Sequence, residues 1–281
     1  MHSPLEIARN YVEIGIHKVR LSAFKMLVLG IFAGVFIGFA GIAATVGGAT
    51  IENASLSRLI SACLFPAGLA MVLISGSELF TGNNLIIIAL LEKKIKLAQM
   101  LKNWTVVFLG NFIGAGFVAM LVVYGHTPDL FGGKLADSIV NAALHRVNLT
   151  FMDSLIRGIL CNILVCIAVW AAFASKTVSG KLLMSFWPIM LFVLCGFEHS
   201  IADIYFCLAG LFAAGEYEIA AEGLTMGSFL LKNLLPVTLG NILGGAGIVG
   251  VGYWLVYLRH TPLYIYSIES EQKEIDIAEE Y

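Results

Sequence analysis

Apolar residues fill six long stretches of the chain, and polar residues are concentrated between them. The stretches lie at about 25–48, 57–91, 101–124, 153–174, 181–214 and 231–258. A helix needs about 20 mostly apolar residues to cross the hydrocarbon core of a membrane. The pattern therefore predicts an all-α membrane protein with six transmembrane helices.

Spans two and five are too long for one straight crossing, and polar segments that contain glycine interrupt both. Span two contains GSELFTGN (76–83) and span five contains GFEHSIAD (196–203). A helix that breaks inside a membrane frees backbone N–H and C=O groups, which must face protein or water rather than lipid. We therefore predict that spans two and five are discontinuous helices.

The two halves of the chain repeat each other. Gly, Glu and a final Asn or Asp match between the two interruptions, and LGNFIGA (109–115) matches LGNILGG (239–245). The matches occur in order and in equivalent spans, which favours a duplicated three-span unit over a chance recurrence of glycine and asparagine. Three spans per unit give the copies opposite orientations, as in an inverted 3+3 repeat whose site lies near the midplane. The predicted repeats are 25–125 and 153–260.

Polar side chains cluster at the two interruptions. We expect most of them to stabilise the broken backbone by hydrogen bonding, because an unpaired polar group is costly in a membrane. This group comprises Glu78, Asn83, Glu198, Asp203, Asn111 and Asn241. His199 is a candidate for function, since a histidine in a span is rare and titrates near physiological pH. The alternative is a neutral histidine that its neighbours hold in place.

Composition and charge agree with a membrane protein and indicate its orientation. The 281 residues are 59% hydrophobic and 13% charged, with a formal net charge of −2, whereas a soluble domain has about 25% charged residues. This balance gives no reason to expect a nucleic-acid partner. Basic residues cluster before span one, between spans two and three, and between spans four and five. Both termini are therefore expected in the cytoplasm.

The same orientation assigns the segments outside the spans. Residues 1–24 are expected to form an amphipathic segment at the cytoplasmic surface, acting either as a passive anchor or as a gate. Residues 126–152 are expected to form an extracytoplasmic loop, and 261–281 an acidic, disordered cytoplasmic tail. No nucleophile, metal or cofactor motif accompanies the polar residues, so we expect neither an enzyme nor a bound cofactor or metal.

The motifs of this chain resemble those of the formate/nitrite transporter family. GSELFTGN, GFEHSIAD, KNWTVVFLGN and LPVTLGNILGG carry the resemblance, which extends from about residue 20 to about residue 260. It implies an aquaporin-like fold, a homopentamer with one pore per protomer, and passage of small monovalent anions of weak acids. We rank formate first among the substrates and nitrite or hydrosulfide second. Glycine-rich faces in spans one and six predict close helix packing, either within or between protomers.

The resemblance also implies roles for individual residues. His199 is expected at the centre of the pore, with Thr81 facing it and Asn162 on the pore wall. Two apolar constrictions, one on each side of the histidine, are expected from Phe65, Leu69, Leu79 and Phe192. Arg146 stands where the family has a lysine in the outer vestibule. A mechanism in which this cation loses its proton is therefore in doubt, because arginine stays charged.

These roles give a transport hypothesis with anions, protons and membrane lipid as partners. Arg146 would attract the anion, the apolar rings would remove its water, and proton transfer at or near His199 would let a neutral acid cross. The sequence leaves open whether His199 or water donates the proton. An aquaporin-type pore is the alternative from another class, although the paired Asn-Pro-Ala motifs are absent. The expected location is a bacterial plasma membrane.

Overall fold

The computed structural model describes residues 1–259, and all regular secondary structure in that range is helical. The six predicted membrane spans are confirmed as helices that are long and apolar enough to cross a membrane: Ala23–Gly48, Ala54–Ser75, Leu97–Tyr124, Phe151–Ala174, Val178–Cys195 and Met226–Tyr257. The predicted tail at 261–281 lies outside the described residues.

The helices are numbered here in chain order. The first three-span unit contains α2 (Ala23–Gly48), α3 (Ala54–Leu64), α4 (Pro66–Ser75), a 3₁₀ turn (Gly82–Ile86), α5 (Ile87–Leu91) and α6 (Leu97–Tyr124), and α1 (Pro4–Arg20) precedes it. The second unit contains α8 (Phe151–Ala174), α9 (Val178–Cys195), α10 (Ser200–Glu216) and span six (Met226–Tyr257), and α7 (Lys134–Val147) precedes it.

Both predicted breaks are present, and a glycine begins each of them. Gly76 ends α4 with a φ of 72°, and Gly196 ends α9 with a φ of 71°. Glycine adopts this left-handed conformation without the steric penalty that a Cβ atom brings. Residues 77–79 and 197–199 then follow without regular structure. Spans two and five are therefore discontinuous helices, as the sequence predicts.

In the first repeat, one asparagine on α6 ties the break to α2. The Nδ2 atom of Asn111 donates to the carbonyl oxygens of Gly30 at 2.8 Å and Glu78 at 2.9 Å. Its Oδ1 atom accepts from the amide of Phe80 at 2.9 Å. The amide side chain thus pairs two backbone groups of the break, the Glu78 carbonyl and the Phe80 amide, and fastens them to the Gly30 carbonyl on α2.

In the second repeat, Asn241 on span six makes the corresponding three bonds. Its Nδ2 atom donates to the carbonyl oxygens of Gly158 at 2.8 Å and Glu198 at 3.1 Å. Its Oδ1 atom accepts from the amide of Ser200 at 3.0 Å. The matching bonds are consistent with the predicted 3+3 inverted repeat, in which Asn111 and Asn241 occupy equivalent places.

Glycines let the long helices within each repeat approach closely. A Cβ atom added to Gly34 on α2 would lie 2.2 Å from the carbonyl oxygen of Asn111. In the second repeat, a Cβ atom added to Gly244 would lie 2.2 Å from the carbonyl oxygen of Ile159. These two members of the glycine-rich faces therefore serve packing within the chain.

The segment between the repeats is not a simple loop, because it contains the 14-residue helix α7. The helix forms since its apolar residues recur on one face, and Leu135, Ile139 and Ala143 are buried. It packs against α10, whereas α1 packs against α5 at the other end of the bundle. We call these two ends the α7 face and the α1 face.

Span six contains two π-helical segments that the sequence does not predict, Phe229–Leu234 and Leu243–Gly250. Such segments often lie near functional sites. The second one packs against the 3₁₀ turn of the first break. A Cβ atom on Gly245 would lie 2.2 Å from Asn162 Nδ2, so the wide turn places glycine backbone against that asparagine.

Candidate functional site

Two cavities in the described part of the chain penetrate the bundle from opposite faces, and both extend to the breaks. The α7-face cavity has a volume of about 360 Å³ and reaches His199 in the second break. The α1-face cavity has a volume of about 510 Å³ and reaches Leu79 in the first break. No described residue lines both cavities. The layer between them therefore contains the candidate site.

His199 lies in this layer and contacts the first break. It is 3% exposed, and its ring forms a hydrogen bond between Nε2 and Thr81 Oγ1 at 2.8 Å. The position arises because His199 is the N-terminal cap of α10, where Nδ1 accepts from the amide of Ala202 at 3.1 Å. The structure thus brings the predicted central pair together.

The cap also determines which ring nitrogen carries the proton. A backbone amide can only donate, so Nδ1 of His199 must present its lone pair to Ala202. The neutral ring then carries its proton on Nε2, which donates to the Thr81 hydroxyl. That hydroxyl keeps its own proton free to point into the layer. The arrangement offers hydrogen-bond donors between the two cavities.

Apolar side chains flank His199 on both sides. In the α7-face cavity, the rings of Phe65 and Phe192 meet edge to face with their centroids 5.7 Å apart. Phe192 also stacks on His199 at a centroid distance of 5.8 Å. Leu69 and Leu79 line the α1-face cavity and are buried. The structure therefore divides the four apolar residues into two pairs, with one pair in each cavity.

Asn162 is adjacent to Thr81 but is not among the described residues that line either cavity. It is fully buried on α8. Its Nδ2 atom is 2.7 Å from Asn241 O, 3.0 Å from Asn84 Oδ1 and 3.3 Å from Thr81 O. It therefore connects the first break to span six.

An ion pair closes the first break towards the α1 face. Lys18 on α1 places Nζ 2.6 Å from Glu78 Oε1. Asn83 donates from Nδ2 to Glu78 Oε2 at 2.7 Å, and it also donates to Asn103 Oδ1 at 2.9 Å. Sequence reasoning missed the role of Lys18. The signal is the buried Glu78, since a buried carboxylate needs a partner.

Arg146 makes the corresponding ion pair at the α7 face. Its Nε atom is 3.0 Å from Asp203 Oδ1 and 3.6 Å from Glu198 Oε2. Its Nη1 atom donates to the carbonyl of Ala142 at 2.7 Å, and the guanidinium lies 3.9 Å from the centre of the Phe206 ring. Arg146 therefore lines the α7-face cavity and faces two carboxylates.

Two further basic side chains, Arg58 and His145, line the same cavity and were not singled out from the sequence. Partial burial, and then the neighbouring Arg146 cation, lower the pKa of His145 below the usual histidine value. His145 is therefore mostly neutral at neutral pH. Arg58 on α3 supplies a full positive charge at the mouth of the cavity.

Comparison with known proteins gives one family. A family model described as "Formate/nitrite transporter" matches residues 5–255. The formate channel FocA of Escherichia coli (strain K12) is 34% identical over 270 residues, covering 91% of this chain and 94% of the relative. The uncharacterized transporter YrhG of Bacillus subtilis (strain 168) is 37% identical over 258 residues, covering 90% and 93%.

Solved structures agree with this assignment. One is described as a pentameric formate channel with formate bound; it has a TM-score of 0.75 and 31% identity, covering 84% of this chain and 98% of that one. Another is described as an FNT family ion channel; it has a TM-score of 0.81 and 30% identity, covering 92% and 99%. The predicted fold class and the predicted resemblance are both confirmed.

Proposed function

This chain belongs to the formate/nitrite transporter family, and we propose from that premise that it conducts small monovalent anions of weak acids, formate first. The family consists of channels and transporters, so the chain is not an enzyme. The observation that carries the proposal is the His199–Thr81 contact at 2.8 Å. It supports a transport path because it lies between two apolar pairs and between two cavities that open on opposite faces.

The apolar pairs would select for small, weakly hydrated solutes. An anion that leaves the α7-face cavity must pass Phe65 and Phe192 and lose water there. Removing water from a carboxylate disfavours its charged form and raises its affinity for a proton. The neutral acid then crosses the region of Leu69 and Leu79 more readily than the anion.

We assign His199 the role of a hydrogen-bond donor during this proton-coupled passage. In the structure its Nε2–H group donates to Thr81. That group can turn to the anion while the Thr81 hydroxyl donates to the same anion. A second proton on the ring would have to occupy Nδ1 and would break the cap with Ala202. This cap favours water from the cavity as the source of the proton and His199 as the group that holds the anion while it is protonated.

We further propose a homopentamer in a bacterial inner membrane, with the α1 face in the cytoplasm. The relative described as a pentameric formate channel supports the assembly, and the bacterial relatives support the location. The basic residues at the α1 face support the orientation under the positive-inside rule.

The test of this function is solute uptake into proteoliposomes. Formate, nitrite, hydrosulfide and lactate are compared between about pH 5 and about pH 8. We expect formate to enter fastest and its rate to rise as the pH falls, because the passing species is the neutral acid. A higher rate for nitrite or hydrosulfide would overturn the ranking of substrates. Glycerol uptake without anion uptake would support the aquaporin-type alternative and overturn the proposal.

A further inference from the structure

The two repeats carry the same buried ion-pair motif with one difference in charge. The first motif contains Lys18, Glu78, Asn83 and Asn103, and the second contains Arg146, Glu198, Asp203 and Asn233. In each motif a cation from α1 or α7 meets the glutamate of a break, and an asparagine from the third span of the repeat bonds to the adjacent polar residue. The difference is that Asp203 occupies the place of the neutral Asn83.

This difference leaves the second motif with more negative than positive charge. One lysine meets one glutamate at the α1 face. At the α7 face, a single guanidinium meets both Glu198 and Asp203, which are 4% and 1% exposed. Two carboxylates that share one buried site repel each other, so the second ionisation is strongly disfavoured.

A buried oxygen that accepts no hydrogen bond indicates where a proton can be held. Glu198 Oε2 is buried and accepts no hydrogen bond within the described structure, and its one ion-pair contact, Arg146 Nε, is 3.6 Å away. A buried carboxylate oxygen without a donor is costly. A proton bound by either carboxyl group converts an acceptor into a donor and would satisfy this oxygen. The oxygen without a hydrogen bond and the excess of negative charge therefore both indicate one proton bound by this pair of carboxyl groups.

The other charged and titratable groups around the motif do not replace that proton. The groups facing it from neighbouring elements are Arg58 on α3, His145 on α7, Cys161 and Arg157 on α8, His199 at the second break and Cys207 on α10. Arg157 donates to the carbonyl oxygen of Gly196 at 3.4 Å. Among the described residues, neither Arg58 nor Arg157 lies within ion-pair distance of either carboxylate.

We propose that Glu198 and Asp203 together bind one proton, which makes the cluster of Arg146, Glu198 and Asp203 neutral and gives the α7-face cavity a shared carboxyl proton that has no counterpart in the Lys18–Glu78 pair. Proton binding itself does not depend on the proposed function, but its effect on transport rests on that function. When the pH rises and the proton leaves, the cluster gains one negative charge. An anion coming from the α7 face then meets a repulsive charge before it reaches His199.

Infrared difference spectroscopy on the purified protein in lipid tests the proton directly. The wild type is expected to show a C=O band of a protonated carboxylic acid that disappears on alkaline titration and shifts in D₂O. Asp203→Asn, which reproduces the first repeat, is expected to lose the band. Asp129→Asn, at an exposed carboxylate on the same face, is expected to keep it. Absence of the band in the wild type, or its persistence in Asp203→Asn, would overturn the proposal.

Formate uptake through the α7 face of oriented proteoliposomes tests the consequence. Between about pH 5 and about pH 8, the wild-type rate is expected to fall more than that of Asp203→Asn. The fall in the wild-type rate is expected to exceed the fall in the Asp203→Asn rate by a factor on the order of ten. This is the effect of one elementary charge about 10 Å from the anion at an effective dielectric constant of about 20. Equal pH profiles would overturn the effect on transport. An infrared band without any anion transport would support the proton site and overturn the proposed function.

Discussion

Replacing His199 with phenylalanine is expected to lower the formate flux by roughly tenfold to a hundredfold, since a hydrogen bond to a charged group contributes about 1.5–3 kcal/mol. Phenylalanine keeps an aromatic ring beside Phe192, so the change in shape is small. It removes the Nε2–H group that now donates to Thr81. The anion would then lose its water in the layer between the cavities without gaining a hydrogen bond from this donor. The flux is measured as initial formate uptake at fixed pH.

Two matched variants separate this effect from a loss of folding. The phenylalanine variant also loses the cap on Ala202, which stabilises α10 by about 1 kcal/mol. His199→Asn can restore that cap but has no donor at the place of Nε2, so stability should recover while the flux stays low. Thr81→Ser keeps the hydroxyl and should transport nearly as well as the wild type. A phenylalanine variant with wild-type flux and pH dependence would show that His199 is purely structural.

Replacing Asn241 with leucine is expected to destabilise the protein by about 3 kcal/mol or more, because each buried group left without its hydrogen bond costs about 1–3 kcal/mol. The groups left unpaired are the carbonyl oxygen of Glu198 and the amide of Ser200, and the Gly158 carbonyl inside α8 loses its second bond. The free energy of unfolding is measured by denaturant titration in detergent micelles.

The repeat supplies the internal check on this second prediction. Asn111→Leu removes the same three kinds of bond in the first repeat and should cost a similar amount. Asn148→Leu changes an exposed side chain at the end of α7 and should cost little. A large effect for Asn111 with a negligible effect for Asn241 would contradict the equivalence of the two breaks.

The membrane spans and both breaks could be predicted because their signals are local in sequence. An apolar stretch of about 20 residues predicts a span. A glycine followed by polar residues inside such a stretch predicts a break. The bounds were less accurate: α9 begins at Val178 rather than 181, since its polar first turn follows the cap from Thr177. The helix α7 was missed because its 14 residues are amphipathic and too few to form a span.

The site was harder to predict because its contacts join distant parts of the chain. The pairing of His199 with Thr81 came from the family resemblance and not from spacing. The pairing of Lys18 with Glu78 depends on where α1 docks, which no local pattern specifies. The π-helical segments of span six also have no local signal, because they lie against distant parts of the chain: Leu243–Gly250 packs against the first break, and Phe229–Leu234 packs against α7 and α10.

The most direct test of the central claim is a simultaneous measurement of formate, proton and charge movement. Proteoliposomes carry a pH-sensitive dye inside and a voltage-sensitive dye in the membrane, and a formate gradient is imposed at equal internal and external pH. Protein-free liposomes give the background from formic acid that crosses lipid. Proton-coupled passage at His199 predicts that the interior acidifies, with one proton for each formate, and that no membrane potential develops. A membrane potential without acidification would show that bare formate crosses, and it would contradict the account.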